Sequence, residues 1–456
     1  MRLFGLPLLA LSSWLAIACQ LADAATRPQY GGTLHVTTRL APNSLDPADP
    51  SQPDSLARRN LTALMFDTLV VTDQQGRLQP ALALSWQADP GNQRWKFMLR
   101  RDVKFHDGSP LTPDRVAASL RVANPGWKIF SDSDSVVIER DAPAPELAAD
   151  LSRPRNAIAK RETNSAVGTG PFRVGSFTPG RHLALAANED SWSGRPYLDA
   201  IDIDLGKNAR DQLLGLELGR ADVAELSPEQ AARVAGSRRV ISSQPVELVT
   251  LLFTRDPQTP EDRALRSALA LSIDRASIRH VVLQSSGEPT AALLPNWVSG
   301  YAFVFPIAQN LALTRQKRSE LRQAPTLTFA YDSSDPFTQV MAERIMLNAK
   351  DAGLTIQTTS SATPDFRLLR ITLDSADPRL ALSAISDQLG LAPARPANTS
   401  TDALCQAENT ALQSQRVIPL FYLPASYGLG PNVRGWSETL TGTPQLANVW
   451  LGAPAP

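Results

Sequence analysis

Histidines at 35, 106, 182 and 280 and cysteines at 19 and 405 are all that the 456-residue chain has of these two reactive residue types. No histidine sits in an HExxH pair and none accompanies a GxSxG turn, so neither zinc-assisted hydrolysis nor a serine nucleophile has a motif to rest on. His106-Asp107 could be drawn as an acid–base dyad, but a lone histidine beside a turn more often packs and hydrogen-bonds than reacts. Gly168-Thr169-Gly170 has no Lys-Ser/Thr behind it and no GxGxxG around it, which removes a phosphate cradle. With no convergent acid, base and nucleophile, the expectation is a protein that binds without turnover. Asp374 and Asp377 stand three apart and Pro378 follows. The bland reading of that pair is a turn capped by Asp374 and a helix opened by Asp377-Pro378.

The elements that must position these groups are legible in several places. Val103–Arg121 reads as a short strand, an Asp107-Gly108 turn, and a helix capped by Thr112 with Pro113 at its first position and Asp114 facing the dipole. Trp95, Phe97 and Leu99 alternate with polar neighbours, the period of a strand packed on one face, so these aromatics are core and not a stacking platform. Leu213–Leu218 is a helix stopped by Gly219, and Ser227-Pro228-Glu229-Gln230 starts another with cap, proline and acid in order. Val246–Thr254 is apolar on both faces, as a central strand should be. Leu265, Ala268, Leu269 and Ile273 form one helical stripe. Strand 326–331, a helix from Asp335-Pro336 to Gly353 and strand 354–358 make a β-α-β unit with a parallel pair.

Lys+Arg and Asp+Glu both number 45, so no net field favours nucleic acid or an anionic membrane. Met1–Ala24 reads as a secretory signal: Arg2, a largely apolar run, and Ala22-Asp23-Ala24 as a cleavage site. The expectation is release into the periplasm with Ala25 first; the alternative is lipid attachment at Cys19, where Leu15 stands four residues before the cysteine instead of three. If Cys19 leaves with the signal, Cys405 is unpaired, so no disulfide framework is available.

The stretch VKFHDGSPLTPDRV resembles the signature of family 5 extracellular solute-binding proteins, the peptide- and nickel-binding receptors of ABC importers. Tyr30–Leu34, Ser44–Pro47, Leu78–Trp86, Gly168–Phe172 with Asn188…Trp192, and the helix RALRSALALSI follow that family in the same order. The resemblance implies an α/β, two-lobed periplasmic binding protein with an inserted domain. Lobe I would combine 25–60, 167–255 and 425–456, the inserted domain would be 61–166, and lobe II 256–424, with links between lobes near Val167 and Thr254. It also implies a di- or oligopeptide caught between the lobes and handed to a membrane permease, by a monomer that needs no cofactor, metal or nucleic acid. A sensory or chaperone-like receptor, or a receptor for a nickel chelate, sugar or opine, is the alternative. Peptide-binding members carry W-x-x-D-x-x-[DE]-P, whose first acid holds the ligand's α-ammonium group; here Ile371-x-x-Asp374-x-x-Asp377-Pro378 keeps both acids and replaces the tryptophan. Asp374 is therefore the principal candidate, with Asn43, Ser44, Phe253, Thr254, Trp297 and Tyr422 as further cleft candidates.

Overall fold

The computed structural model describes residues 27–453 apart from 53, 163–164, 303 and 322–324; Met1–Ala24, with Cys19, lies outside them. Strand β1 (Thr33–Thr37) leads through a loop into helix α1 (Leu56–Met65), whose Ser55 cap accepts from the Arg58 amide. Leu61, Leu64, Met65 and Phe66 pack with Leu34, Phe172 and Ile201, so α1 belongs to lobe I and the inserted domain begins after it, not at 61.

The inserted domain is built on a four-stranded antiparallel sheet packed against its longest helix. Strands β2 (Ala83–Ala88) and β3 (Arg94–Leu99), helix α2 (Pro113–Ala123), and strands β4 (Lys128–Asp132) and β5 (Ser135–Glu139) pair in the order β2-β3-β5-β4. Trp95, Phe97 and Leu99 point inward with Val116, Ala117 and Leu120 of α2, as their periods of two and four require. Gly108 takes φ +80° in the turn, and the Thr112 side chain accepts from the Arg115 amide at 3.4 Å.

His106 is a packing residue: its amide donates to Gly168 O at 2.9 Å and its Nε2–H to Gly170 O at 3.0 Å, while burial pushes its pKa down. The two glycines run against the end of α1, where Gly170 N donates to Met65 O at 3.0 Å. A Cβ on Gly168 would overlap the Met65 carbonyl oxygen. Gly168→Ala is therefore expected to cost about 2 kcal/mol, by overpacking. A lowered denaturation midpoint checks this, and an unchanged midpoint would mean that the α1 end yields freely.

Lobe I continues with β6 (Phe172–Thr178), β7 (His182–Ala187), β8 (Ala200–Asp204), α3 (Ala209–Glu217), β9 (Val223–Leu226) and α4 (Pro228–Val234), the last opened by a Ser227/Gln230 capping box. Strand β10 (Arg239–Phe253) then runs into lobe II, which holds α5 (Pro260–Ser272), β11 (Leu327–Ala330), α6 (Pro336–Asp351), β12 (Ile356–Thr358), β13 (Phe366–Thr372), α7 (Pro378–Gln388) and α8 (Thr401–Leu412). Strand β14 (Val417–Leu429) returns to lobe I. One sheet joins both lobes in the order β6-β7-β8-β1-β9-β14-β10-β13-β11-β12, with β8, β1 and β9 parallel and β11 parallel to both β12 and β13.

The crossing between lobes is not at Thr254 or Val167. β10 pairs with the lobe I end of β14 over Arg239–Ser242 and with its lobe II end from Glu247 onward. Between them Pro245 faces Pro424, and the register slips on both sides of Pro245. Neither proline has an N–H to give, so the ladder is weakest where the two strands pass from one lobe to the other. Thr254 instead follows β10 at its lobe II end, exposed, with its Oγ1 donating to Pro364 O at 2.8 Å.

Candidate functional site

Helix α1 presents two faces to two cavities. Arg58, Arg59 and Thr62 line a cavity of about 240 Å³ at the meeting of the three domains, together with Pro47, Asp54, Arg153–Arg155, Asp374 and the α7 residues Ala384, Asp387 and Gln388. Ala57, Asn60, Leu61 and Leu64, at helical spacing on the other face, line a second cavity of about 40 Å³ inside lobe I.

The larger cavity is framed by arginines that tie the domains together. Arg59, buried on α1, donates Nε to Asp54 at 2.8 Å and reaches lobe II with Nη1 on Leu373 O at 2.8 Å and Nη2 on Thr372 O at 3.2 Å. Arg153 of the inserted domain donates Nε at 2.7 Å and Nη2 to Asp374 Oδ2, and Nη1 to Asp150 at 3.0 Å. Both side chains of this Arg153–Asp374 pair are more than nine-tenths buried. Burial would raise the Asp374 pKa, but the guanidiniums of Arg153 and Arg59 outweigh it and hold the carboxyl below its ordinary value. The other oxygen, Asp374 Oδ1, is buried without a partner.

A second ionic group bridges the lobes beside β1. Asp335, the N-cap of α6, accepts from Arg39 of lobe I at 2.7 Å on Oδ1 and from Arg370 at 3.0 Å on Oδ2, and Arg370 also pairs with Glu247.

Of the residues singled out from sequence, only Asp374 lines the larger cavity. Asn43 is exposed, and Ser44 accepts from the Asp46 amide at 3.2 Å in its own loop, which meets the cavity at Pro47 and Asp54 instead. Phe253 is packed in the lobe II core against Phe366 with Arg266 over its ring, and Tyr422 is 1% exposed with its hydroxyl on Leu293 O. Trp297 donates to Pro245 O at 2.8 Å and so props the crossing strand. Phe253 and Tyr422 are core because the joining sheet in which they lie is covered on both faces. The arginines at 58, 59, 153 and 155 were missed. One signal existed: Arg59 interrupts the otherwise apolar buried side of α1, and a charge there needs a partner.

The model of bacterial extracellular solute-binding proteins, family 5 Middle, matches residues 77–390. The nickel-binding protein NikA of Staphylococcus aureus is 23% identical over 60% of this chain and 57% of its own length. The peptide transport periplasmic protein SapA of Salmonella typhimurium is 26% identical over 63% of each. This chain thus spans less than two thirds of these curated relatives. Among solved structures, the Helicobacter pylori protein DppA in complex with the peptide STSA superposes with a TM-score of 0.81 at 18% identity, covering 95% of this chain and 100% of that one. The Escherichia coli murein tripeptide binding protein MppA gives 0.81 at 17%, covering 94% and 99%. The fold is the two-lobed one of those structures, and on the match over 77–390 the chain belongs to the bacterial extracellular solute-binding proteins of family 5.

Proposed function

We propose that the chain is the extracytoplasmic receptor of an ABC importer, holding a small solute between its lobes and presenting the closed form to a membrane permease. The observation that carries this reading is the interdomain cavity in which Asp374 keeps one buried oxygen unpartnered. An unpaired buried acceptor costs roughly 1–3 kcal/mol, which a ligand's N–H would recover. Relatives named for nickel binding and for peptide transport support a polar solute. At about 240 Å³ the cavity is smaller than the roughly 300–1,000 Å³ of most ligand pockets, which favours a solute of dipeptide size or less over an oligopeptide. Its mixed lining favours a zwitterion, with the ammonium group on Asp374 and the carboxylate toward Arg155, which commits only Nη2, to Asp150, among the described residues. A chelate, sugar or opine is the other ligand class.

The family is made up of solute-binding proteins and not enzymes. No helix among the described residues is long and apolar enough to cross a membrane. Export would then rest on Met1–Ala24, and N-terminal sequencing of secreted protein should read from Ala25; a diacylated Cys19 would replace release with anchoring.

Asp374→Asn tests the site. Calorimetric affinity for a free-amine dipeptide is expected to fall at least about tenfold, as loss of one partner of a buried charged pair does. Retained affinity with a lowered melting temperature would reduce Asp374 to a structural partner of Arg153. Failure of the wild type to bind any free-amine dipeptide would leave the receptor reading with a non-peptide solute.

A further inference from the structure

The smaller cavity lies on the far side of α1 and shares no lining residue with the first. It opens at the carboxyl ends of the parallel strands β8, β1 and β9, where open α/β sheets place ligands. Its walls are apolar, with Val36, Ile203 and Leu446, and Tyr427 and Trp436 add two aromatic rings whose centroids are 5.2 Å apart. Its polar lining includes oxygens that lack partners. Thr37 is 7% exposed and its Oγ1 has no partner; Asn60 Oδ1 is also buried without one, while Asn60 Nδ2 donates to the Tyr427 hydroxyl at 2.8 Å. Glu225 accepts from Thr38 Oγ1 at 3.3 Å and forms no ion pair among the described residues.

The charges nearby leave Glu225 over. Arg39 and Arg370 are the cations that reach toward it, yet Asp335 accepts from both and Glu247 takes a further bond from Arg370. Two guanidiniums thus meet two carboxylates that are already engaged, and Glu225 is a third. A carboxylate in an apolar cavity, beside unpaired oxygens and two aromatic faces, lacks a small donor-only cation. A primary ammonium group meets that description: it is close to water in size and has three N–H donors, whereas a quaternary ammonium has none.

We propose that this lobe I cavity is a binding pocket for a primary ammonium group anchored on the Glu225 carboxylate, with Thr37 and Asn60 as further acceptors. Thr38 adjoins Arg39, whose guanidinium crosses to Asp335, so the charged end of the pocket lies at the lobe boundary. A short aliphatic amine reaches it alone, or as the amino end of a longer solute. The pocket does not depend on what fills the Asp374 cavity. Burial raises the Glu225 carboxyl to about 7 against the pull of Arg39 and Arg370, with Glu247 adding to the rise. The amine site is therefore charged in mildly alkaline solution and filled by a proton in mildly acidic solution; Tyr427, with Glu438 beyond it, is the remaining titratable neighbour.

Saturation-transfer NMR on the methyl group of methylammonium, with the purified full chain, tests the pocket. Saturable binding is expected at pH 8, weaker by about tenfold at pH 6, as the fraction of a carboxyl ionised around pH 7 dictates. Glu225→Gln should abolish the part of the signal that falls between pH 8 and pH 6, Ala57→Leu should abolish that part by filling the cavity without touching Glu225, and Asp374→Asn should leave that part unchanged, removing only signal that Asp374 holds at both pH values. Tetramethylammonium at equal ionic strength should give no saturable signal. No binding to the wild type would mean that the cavity holds water, and binding that survives both Glu225→Gln and Ala57→Leu would place the amine elsewhere. Binding lost only in Asp374→Asn would move it to the larger cavity. Each of these three results overturns the proposal.

Discussion

Arg153→Met is expected to destabilise the folded chain by roughly 3–5 kcal/mol, because it leaves the buried Asp374 carboxylate without its ion-pair partner. The guanidinium supplies both N–H bonds to Asp374 Oδ2 and is the link from the inserted domain to the loop between β13 and α7. Arg59 is the nearest remaining cation, but its own bonds go to Asp54 and to backbone carbonyls. Removing both charges with Arg153→Met and Asp374→Leu should restore most of the loss, since a buried pair is often matched by apolar residues of similar volume. Denaturation midpoints of the two single variants and the double variant measure this; equal losses in single and double variants would show that packing, and not charge, holds the contact. The same variant reads out function. With Arg153 gone, both oxygens of Asp374 are open to the cavity, so affinity for a free-amine dipeptide should rise at least about tenfold, the scale of one charge-assisted bond. Unchanged affinity at the altered stability would detach Asp374 from ligand binding.

What the sequence discloses and what it hides divide along the range of the interaction. The Thr112-Pro113 and Ser227-Gln230 caps, the Asp107-Gly108 turn and the alternation of Trp95, Phe97 and Leu99 are decided by residues within one turn or one strand, and the structure has them where local chemistry puts them. Strand β10 shows the limit. Its apolar half, Val246–Thr254, is legible, but the polar first half, Arg239–Pro245, is strand only because Ser426–Leu429 lies beside it. The lobe crossing was misplaced for the same reason: the weak point is a proline opposite a proline, and Pro424 is invisible from Pro245 until the strands are paired. Tyr422 and Phe253, both offered as cleft candidates, are buried in the joining sheet, Tyr422 at mid-strand and Phe253 in the lobe II core. Asp374 was proposed through the family pattern, but Arg153 was not, because nothing local marks an arginine as the partner of an acid in another domain.

Asp335→Ala is expected to open the cleft. Asp335 is 3% exposed and does three things: it caps α6, it accepts from Arg39 of lobe I, and it accepts from Arg370 of lobe II. A lost cap costs about 1 kcal/mol and a hydrogen bond to a charged group roughly 1.5–3. Both guanidiniums are about one third exposed and regain solvent when the carboxylate goes, so about 3 kcal/mol for the whole change is the reasonable scale. Part of it falls on the Arg39 bond, which exists only while the lobes meet, and the proline-broken ladder at Pro245 and Pro424 offers little resistance to their parting. Small-angle scattering should therefore give the variant a larger radius of gyration than the wild type, and a saturating ligand should reduce the radius of the variant more than that of the wild type. Equal radii in all four states would remove Asp335 as a latch and the crossing strands as a hinge.

The pH dependence follows in two opposite parts. Burial pushes the Asp335 carboxyl up, but Arg370 and Arg39 pull it further down, so its folded pKa lies below the unfolded one. Its contribution is complete above about pH 4, the unfolded value, and is lost as the pH falls through the folded value. Glu225 is displaced the other way, to about 7, so the folded chain holds its proton more tightly than the unfolded chain does, and its contribution to folding stability is lost as the pH rises from about 4 toward 7. The denaturation midpoint of the ligand-free chain should thus peak in mildly acidic solution and fall toward pH 8. An amine bound at Glu225 would supply the missing positive charge and offset the alkaline loss, which ties stability in alkaline solution to occupancy of the lobe I pocket. A midpoint that stays constant from pH 5 to pH 8, with and without methylammonium, would break that link.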